Sequence, residues 1–141
     1  MPFIPEMHTA TYAVDSVANG GTESTWFTNS QKTRIHRMNV ISEAAIAAHS
    51  SAVLKVELLT GSTVIGKVTN DSDEADTTAV TGTPGIDTAL YGAKTARNID
   101  FTQAGANSDG SYENAADAAL EIKTSNDTGG TITDVMISIE Y

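Results

Sequence analysis

Residues 52–69 read A-V-L-K-V-E-L-L-T-G-S-T-V-I-G-K-V-T, and this stretch decides the fold class. Apolar residues at positions 54, 56 and 58 alternate with Lys55 and Glu57, which is the period of a half-buried strand. Residues 60–62 form a turn, and residues 63–69 then continue as a second strand. Two strands joined by a short glycine-bearing loop predict a β-hairpin. In the second strand we expect one face to carry Val64, Gly66 and Val68.

The same alternation recurs in both directions from this hairpin. We expect further strands at residues 32–41, 96–102, 119–125 and 132–141, whereas residues 71–87 and 103–117 are typical of loops. The alanine-rich residues 42–51 are too short for a stable core helix, so we interpret them as a connector. Without a long helix or a βαβ rhythm, the chain is expected to be all-β. An antiparallel β-sandwich with jelly-roll or Greek-key wiring fits best.

Residues 1–31 differ from the rest, and we expect an irregular N-terminal arm before a sandwich domain of residues 32–141. Pro2 and Pro5 disfavour a helix, and residues 19–21 are a turn signal. The arm carries a few isolated large apolar residues, which suit docking on a neighbouring subunit. For Trp26, a position in the core of its own domain is an equal alternative. The predicted partner-binding residues are Phe3, Ile4, Tyr12, Trp26 and Phe27.

Charge and composition narrow the class of protein. The net charge of the 141 residues is −10, and the whole excess of acidic over basic residues falls in residues 57–141. This part of the chain would repel a nucleic-acid backbone. The chain has no cysteine, so disulfide and thiolate chemistry are excluded. No apolar run approaches the length of a membrane span, and the N-terminus lacks the features of a secretory signal. We therefore expect a soluble protein made in the cytoplasm that binds neither nucleic acid nor membrane.

No pattern in the sequence predicts an active site. The acidic residues 71–76 include Asp71 and Asp76, but they lack the glycine and the twelfth-position acid of an EF-hand loop, so only a looser calcium site is left open. The three histidines, His8, His36 and His49, are not at zinc-ligand spacing. No G-x-S-x-G elbow is present. We expect no enzyme activity, no cofactor and no metal.

One long segment resembles a known family. Residues 34–59, R-I-H-R-M-N-V-I-S-E-A-A-I-A-A-H-S-S-A-V-L-K-V-E-L-L, and the terminal V-M-I-S-I-E-Y resemble the capsid decoration, or cement, proteins of tailed bacteriophages. The resemblance covers residues 34–70 and 119–141. It implies a jelly-roll-like sandwich on the outer capsid surface of the virion, commonly a trimer. Its partner would be the major capsid protein, whose neighbouring subunits it would bridge.

Two other functions are compatible with the same patterns. A carbohydrate- or receptor-binding module of a phage fibre would use exposed aromatic residues, and Tyr91 and Tyr112 are the candidates. A glycan array with and without calcium separates that function from capsid decoration. The chain could instead be another head–tail structural component, for which ring-forming stoichiometry would be the evidence.

Overall fold

The structure is a computed structural model that describes residues 6–42, 54–69 and 111–141, together with the backbone of residues 97–99. Within these ranges the chain forms strands joined by turns and contains no helix. None of the described residues therefore forms a helix of the length and apolarity that crossing a membrane requires. The strands are β1 (Thr9–Val17), β2 (Gly21–Phe27), β3 (Thr33–Ile35), β4 (Arg37–Ser42), β5 (Leu54–Thr60), β6 (Thr63–Thr69), β7 (Arg97–Ile99), β8 (Tyr112–Asn114), β9 (Leu120–Asn126) and β10 (Ile132–Glu140).

Eight of these strands form two four-stranded sheets, in which every pairing is antiparallel. Sheet 1 has the order β1-β10-β4-β7, and sheet 2 has the order β2-β9-β5-β6. Strands β3 and β8 pair separately. The prediction of an all-β antiparallel architecture is confirmed, and the arrangement is consistent with a β-sandwich.

One face of each sheet supplies the core. In sheet 1 the register aligns Ile137 with Val40 and Ile139 with Met38, and in sheet 2 it aligns Leu58 with Ile122. Because side chains alternate across a strand, each sheet presents one apolar face and one outer face. The buried cluster comprises Phe27, Ile35, Met38, Val40, Leu54, Val56, Leu58, Ile65, Val68, Leu120, Ile122, Val135, Ile137 and Ile139.

The hairpin predicted from residues 52–69 is present as β5 and β6, with one correction. Leu58 lies opposite Gly66 but Leu59 lies opposite Val64, so β6 carries one extra residue at Ile65. This bulge moves Val64 to the outer face, whereas the prediction had placed it beside Gly66 and Val68. Ile65 is buried instead.

The predicted irregular arm is wrong for most of its length. Strand β1 pairs with β10 from Thr9 to Val17, and β2 pairs with β9 from Gly21 to Phe27. The two N-terminal strands are thus the edges of sheets 1 and 2 and not a segment apart from residues 32–141. Their strand signal is weak because an edge strand pairs on one side only and carries many small polar residues.

Two smaller predictions also need correction. Residues 103–117 were expected to be a loop, but β8 lies at Tyr112–Asn114 and pairs with β3. Ser42 is the last, buried residue of β4. The rest of the alanine-rich connector, the acidic residues 71–76 and His49 lie outside the described residues.

Asn126 is a buried polar residue that joins two turns at one end of the sandwich. Its side chain is 1% exposed, and Nδ2 donates hydrogen bonds to the carbonyl oxygens of Val17 at 2.8 Å and Gly130 at 2.7 Å. Oδ1 accepts from the Thr128 backbone N–H at 2.9 Å and from its hydroxyl at 2.7 Å. The turn that follows β1 and the turn that follows β9 are therefore held by one amide group.

Candidate docking surface

Trp26 is exposed because the pleat of β2 sends its neighbour into the core. Phe27 is 2% exposed, and its ring meets that of Tyr141 edge-on with centroids 5.0 Å apart. The preceding residue must point the other way, and Trp26 is 56% exposed on the outer face of sheet 2. Here we call that outer face the Trp26 face. Its members are Thr22, Ser24, Trp26, Lys55, Glu57, Leu59, Val64, Lys67, Thr69, Glu121, Lys123 and Ser125.

The register fixes which residues lie beside Trp26. It places Glu121 opposite Trp26, then Leu59 opposite Glu121, and then Val64 opposite Leu59. Leu59 is buried although it lies on the outer face, and Val64 is half-buried. An aromatic ring and two aliphatic side chains thus occupy one row across the sheet, with a single carboxylate between them.

The next row of the Trp26 face carries charges of both signs. Glu57 lies opposite Lys67 on one side and Lys123 on the other, and such cross-strand pairs of opposite charge are favourable. With Lys55 and Glu121 added, the face holds three lysines and two carboxylates. It is therefore slightly cationic, whereas the whole chain carries −10. This contrast with the net charge of the chain favours contact of the face with acidic protein surfaces.

Hydrogen bonds hold the polar side chains of this face in place. The Ser24 hydroxyl donates to Oε1 of Glu121 at 2.6 Å, and the Thr22 hydroxyl donates to that of Ser125 at 3.3 Å. Both contacts link β2 to β9. Trp26 therefore stands on a braced strand, so little ordering of its surroundings would be needed on binding.

The five residues predicted to bind a partner do not lie together. Phe3 and Ile4 lie outside the described residues. Phe27 is in the core and offers no surface to a partner, and Tyr12 is half-buried, packed against the core from sheet 1. Burial raises the pKa of Tyr12 above its ordinary value, and the nearby Tyr141 phenol adds to the effect. Trp26 is the member of the set that the structure describes as exposed.

Tyr112, a candidate of the carbohydrate-binding alternative, is half-buried and packs against the core. Its counterpart Tyr91 lies outside the described residues. Among the residues that the structure does describe, no three His, Asp or Glu side chains come close enough together to hold a metal ion.

A cleft of about 460 Å³ at one end of the molecule brings His8 and His36 together with Tyr141. Local sequence patterns do not indicate this proximity. The His8 ring stacks on Tyr141 with centroids 5.5 Å apart, and the two backbones exchange hydrogen bonds of 2.7 and 2.9 Å. The backbone N–H of His36 donates to the Glu140 carbonyl at 2.8 Å. These contacts fasten the end of β10 through the ring and backbone of His8 and through the backbone of His36.

Sequence reasoning found Trp26 but missed that three lysines share its face of sheet 2. Alternation in 54–58 and 119–125 already places Lys55, Glu57 and Lys123 on solvent-facing positions. Their assembly into one surface with Trp26 depends on β9 lying between β2 and β5. Local sequence patterns do not predict the order of strands in a sheet. Comparison with protein-family models, curated protein sequences and solved structures gave no significant match.

Proposed function

We propose that this chain is a non-catalytic virion protein that decorates a tailed-phage capsid, with the Trp26 face as its docking surface. The observation that carries the proposal is the exposed Trp26 side chain on a braced strand. Tryptophan is over-represented among the residues that dominate binding energy, because it buries a large apolar area with little loss of conformational freedom. The resemblance of residues 34–59 to decoration proteins supports the assignment to a capsid.

The distribution of charge supports a protein partner. An acidic molecule is repelled by packaged DNA, and the slightly cationic Trp26 face would be turned toward the shell. Decoration in this form is mechanical: each copy bridges neighbouring major capsid subunits and adds buried area at the joint between them. About 800 Å² per partner is enough for a specific contact, and capsid symmetry repeats it many times.

The test is co-pelleting of the purified full-length chain with bare tailed-phage heads. We expect the wild-type chain to co-pellet and Trp26→Thr to bind at least about tenfold more weakly, since loss of a central aromatic anchor commonly costs 2 kcal/mol or more. Threonine keeps the strand preference of the position, so the sheet is preserved. The matched control is Thr131→Ala, at an exposed position between β9 and β10 and outside the Trp26 face, which should bind like wild type.

Two results would overturn parts of the proposal. If the wild-type chain does not pellet with heads, the capsid function is wrong. If the chain pellets and Trp26→Thr binds equally well, the capsid function stands but the docking surface is elsewhere. Deletion of residues 1–5 then tests Phe3 and Ile4. Deletion of residues 1–30 is unsuitable as a test of binding, because it removes the edge strand β1 from sheet 1 and the edge strand β2 from sheet 2.

A further inference from the structure

The two sheets end in four edge strands within the described part of the chain. Sheet 1 ends in β1 and β7, and sheet 2 ends in β2 and β6. An edge strand presents backbone N–H and C=O groups that can pair with a strand of another molecule. Natural proteins usually carry a feature at each edge that prevents such pairing. The four edges of this chain differ in whether they carry one.

Three of the edges carry a protective feature. Strand β6 has the bulge at Ile65 and also carries Lys67. Strand β7 is only three residues long. Strand β2 carries Glu23 on the side that faces the other sheet, where it lines a depression of about 300 Å³ together with Ile122. A bulge, a short strand and an inward-facing charge each oppose edge-to-edge pairing.

Strand β1 lacks all of these features. Its nine residues include neither proline nor a basic residue, and its pairing with β10 shows no shift of register. The side chains that face the core, Ala10, Tyr12 and Val14, are apolar. Its one charged residue, Asp15, is exposed on the outer face. Strand β1 is therefore a long, regular edge that is open to pairing.

The hydrogen bonds at the two ends of β1 show which backbone groups face outward. His8 and Tyr141 exchange two N–H to C=O bonds, so they are a hydrogen-bonded pair of the antiparallel ladder. Because such pairs recur at every second residue, the odd-numbered residues 9–15 direct their N–H and C=O groups away from β10. The Val17 carbonyl already accepts from Asn126, which limits the open stretch to residues 9–15.

A second copy of β1 fits this open stretch when the two strands are centred on Tyr12. A two-fold axis perpendicular to the sheet, midway between the two Tyr12 residues, sets the odd-numbered residues 9–15 of one copy opposite those of the other. Each outward N–H then meets an outward C=O.

The side chains also match in this register. On the inner face the two Tyr12 rings are cross-strand neighbours, and Ala10 lies opposite Val14, so apolar residues meet apolar residues. On the outer face Asp15 lies opposite Thr9. The two Asp15 residues are about 20 Å apart, because six residues separate positions 9 and 15. No pair of like charges therefore opposes the contact.

We propose that β1 is a self-association edge, at which two copies pair their β1 strands antiparallel about a two-fold axis and join their copies of sheet 1 into one continuous sheet. The occupant is a second copy because β1 matches itself in backbone donors and acceptors, in its apolar side and in the spacing of its charges. The Trp26 face belongs to the other sheet, so the proposal does not rest on capsid binding.

The test is the mass of the full-length chain in solution, by sedimentation equilibrium over a wide range of concentration. We expect a monomer–dimer equilibrium that Ala13→Pro weakens at least about tenfold, because each copy loses an N–H donor and gains a ring at the seam. Proline is tolerated where the N–H of an edge strand faces solvent, so the monomer should keep its fold. The urea midpoint of the variant checks this.

A second variant tests the same edge without changing the backbone. Thr11→Lys should weaken the dimer several-fold, because the two lysines would be diagonal neighbours across the seam. The matched control is Thr63→Lys, which adds the same charge at an exposed position of β6, the edge strand at the other end of sheet 2. This control should leave the dimer unchanged.

Hydrogen exchange locates the contact. The amides of Thr11 and Ala13 should be protected at concentrations that favour the dimer and should exchange freely in dilute solution. A wild-type monomer at all concentrations, or a trimer, would overturn the proposal. So would a dimer in which both amides exchange freely, or one that Thr11→Lys and Thr63→Lys affect equally. Pelleting with phage heads is measured separately, so failure of capsid binding and failure of the dimer are distinguishable.

Discussion

Trp26 and Phe27 are adjacent large aromatic residues on β2, yet one is 56% exposed and the other 2%. The inner face of sheet 2, to which Phe27 belongs, is mainly apolar and contributes to the same buried cluster as the inner face of sheet 1. The outer face combines one aromatic anchor with paired charges. A single step along a pleated strand therefore separates a residue that stabilises the fold from one that is free to bind. Mutations on the two faces should accordingly affect different measurements.

The largest expected difference is in stability, between a substitution of Phe27 and a substitution of Trp26. Phe27→Ala is expected to lower the free energy of unfolding by about 3–5 kcal/mol, because it removes a ring packed against Tyr141 and leaves a cavity. Trp26→Thr should change it by no more than about 0.5 kcal/mol, as is usual for exposed positions. Urea denaturation of both variants measures the difference.

Similar losses in the two variants would contradict the separation of faces. If Trp26→Thr alone greatly lowers the free energy of unfolding, the Trp26 side chain packs inside its own domain, which is the alternative that the sequence left open. Phe27→Leu provides the control for size, since it keeps an apolar side chain at the buried position.

The sequence was sufficient for the strands that alternate strongly and insufficient for those that do not. Residues 54–58 and 120–123 alternate between buried and half-buried positions, as predicted. In β1, the inward residues Ala10, Tyr12 and Val14 do alternate, but exposed Ala13 blurs the period. The bulge at Ile65 also escapes a pattern of period two, because it depends on pairing across the hairpin.

The candidate site was less predictable than the fold. The sequence could nominate Trp26 as an unusual aromatic residue, but it could not decide between Trp26 and Phe27 for the surface. That choice follows from the pairing of Phe27 with Leu120 on the inner face. The role of Asn126 likewise depends on partners distant in sequence.

A second prediction concerns a polar residue on the buried side of sheet 2. Asn126→Ala removes donors to the Val17 and Gly130 carbonyls and the acceptor for Thr128. We expect a loss of about 2–3 kcal/mol in the free energy of unfolding, since buried polar groups are left without partners. Such a loss would show that the stability of the inner face depends on hydrogen bonds to its buried polar groups as well as on the burial of apolar side chains.

The control for this prediction is Asn19→Ala in the same cluster of turns. Asn19 is exposed and accepts one hydrogen bond, from the Gly129 N–H at 2.7 Å. Its removal should cost less than about 1 kcal/mol, because water can replace the lost partner. Equal thermal or urea midpoints for the two variants would show that Asn126 is not the residue that holds the turns.

The smallest effect concerns Tyr12, which is neither fully inside nor outside. Its raised pKa means that folding favours the protonated phenol, so the folded state holds more protons than the unfolded state once the pH exceeds 10.0. Stability should be unaffected at neutral pH and fall as the pH rises past that value. The free energy of unfolding at pH 8 and pH 11 should therefore differ less for Tyr12→Phe than for wild type. If Tyr12→Phe and wild type lose the same free energy of unfolding between pH 8 and pH 11, other groups cause the loss of stability at high pH. Tyr112→Phe is the matched control.

The position of β10 between β1 and β4 has a consequence for biosynthesis. Thr9 pairs with Glu140 and Gly21 pairs with Asn126, so β1 and β2 have to wait for the synthesis of β10 and β9 before either sheet can close. Such non-local pairing folds slowly and leaves strand edges open meanwhile. Strands β1 and β2 would thus remain unpaired while the intervening residues are made, and the acidic residues of the second part of the chain would help to keep it from aggregating until β9 and β10 emerge.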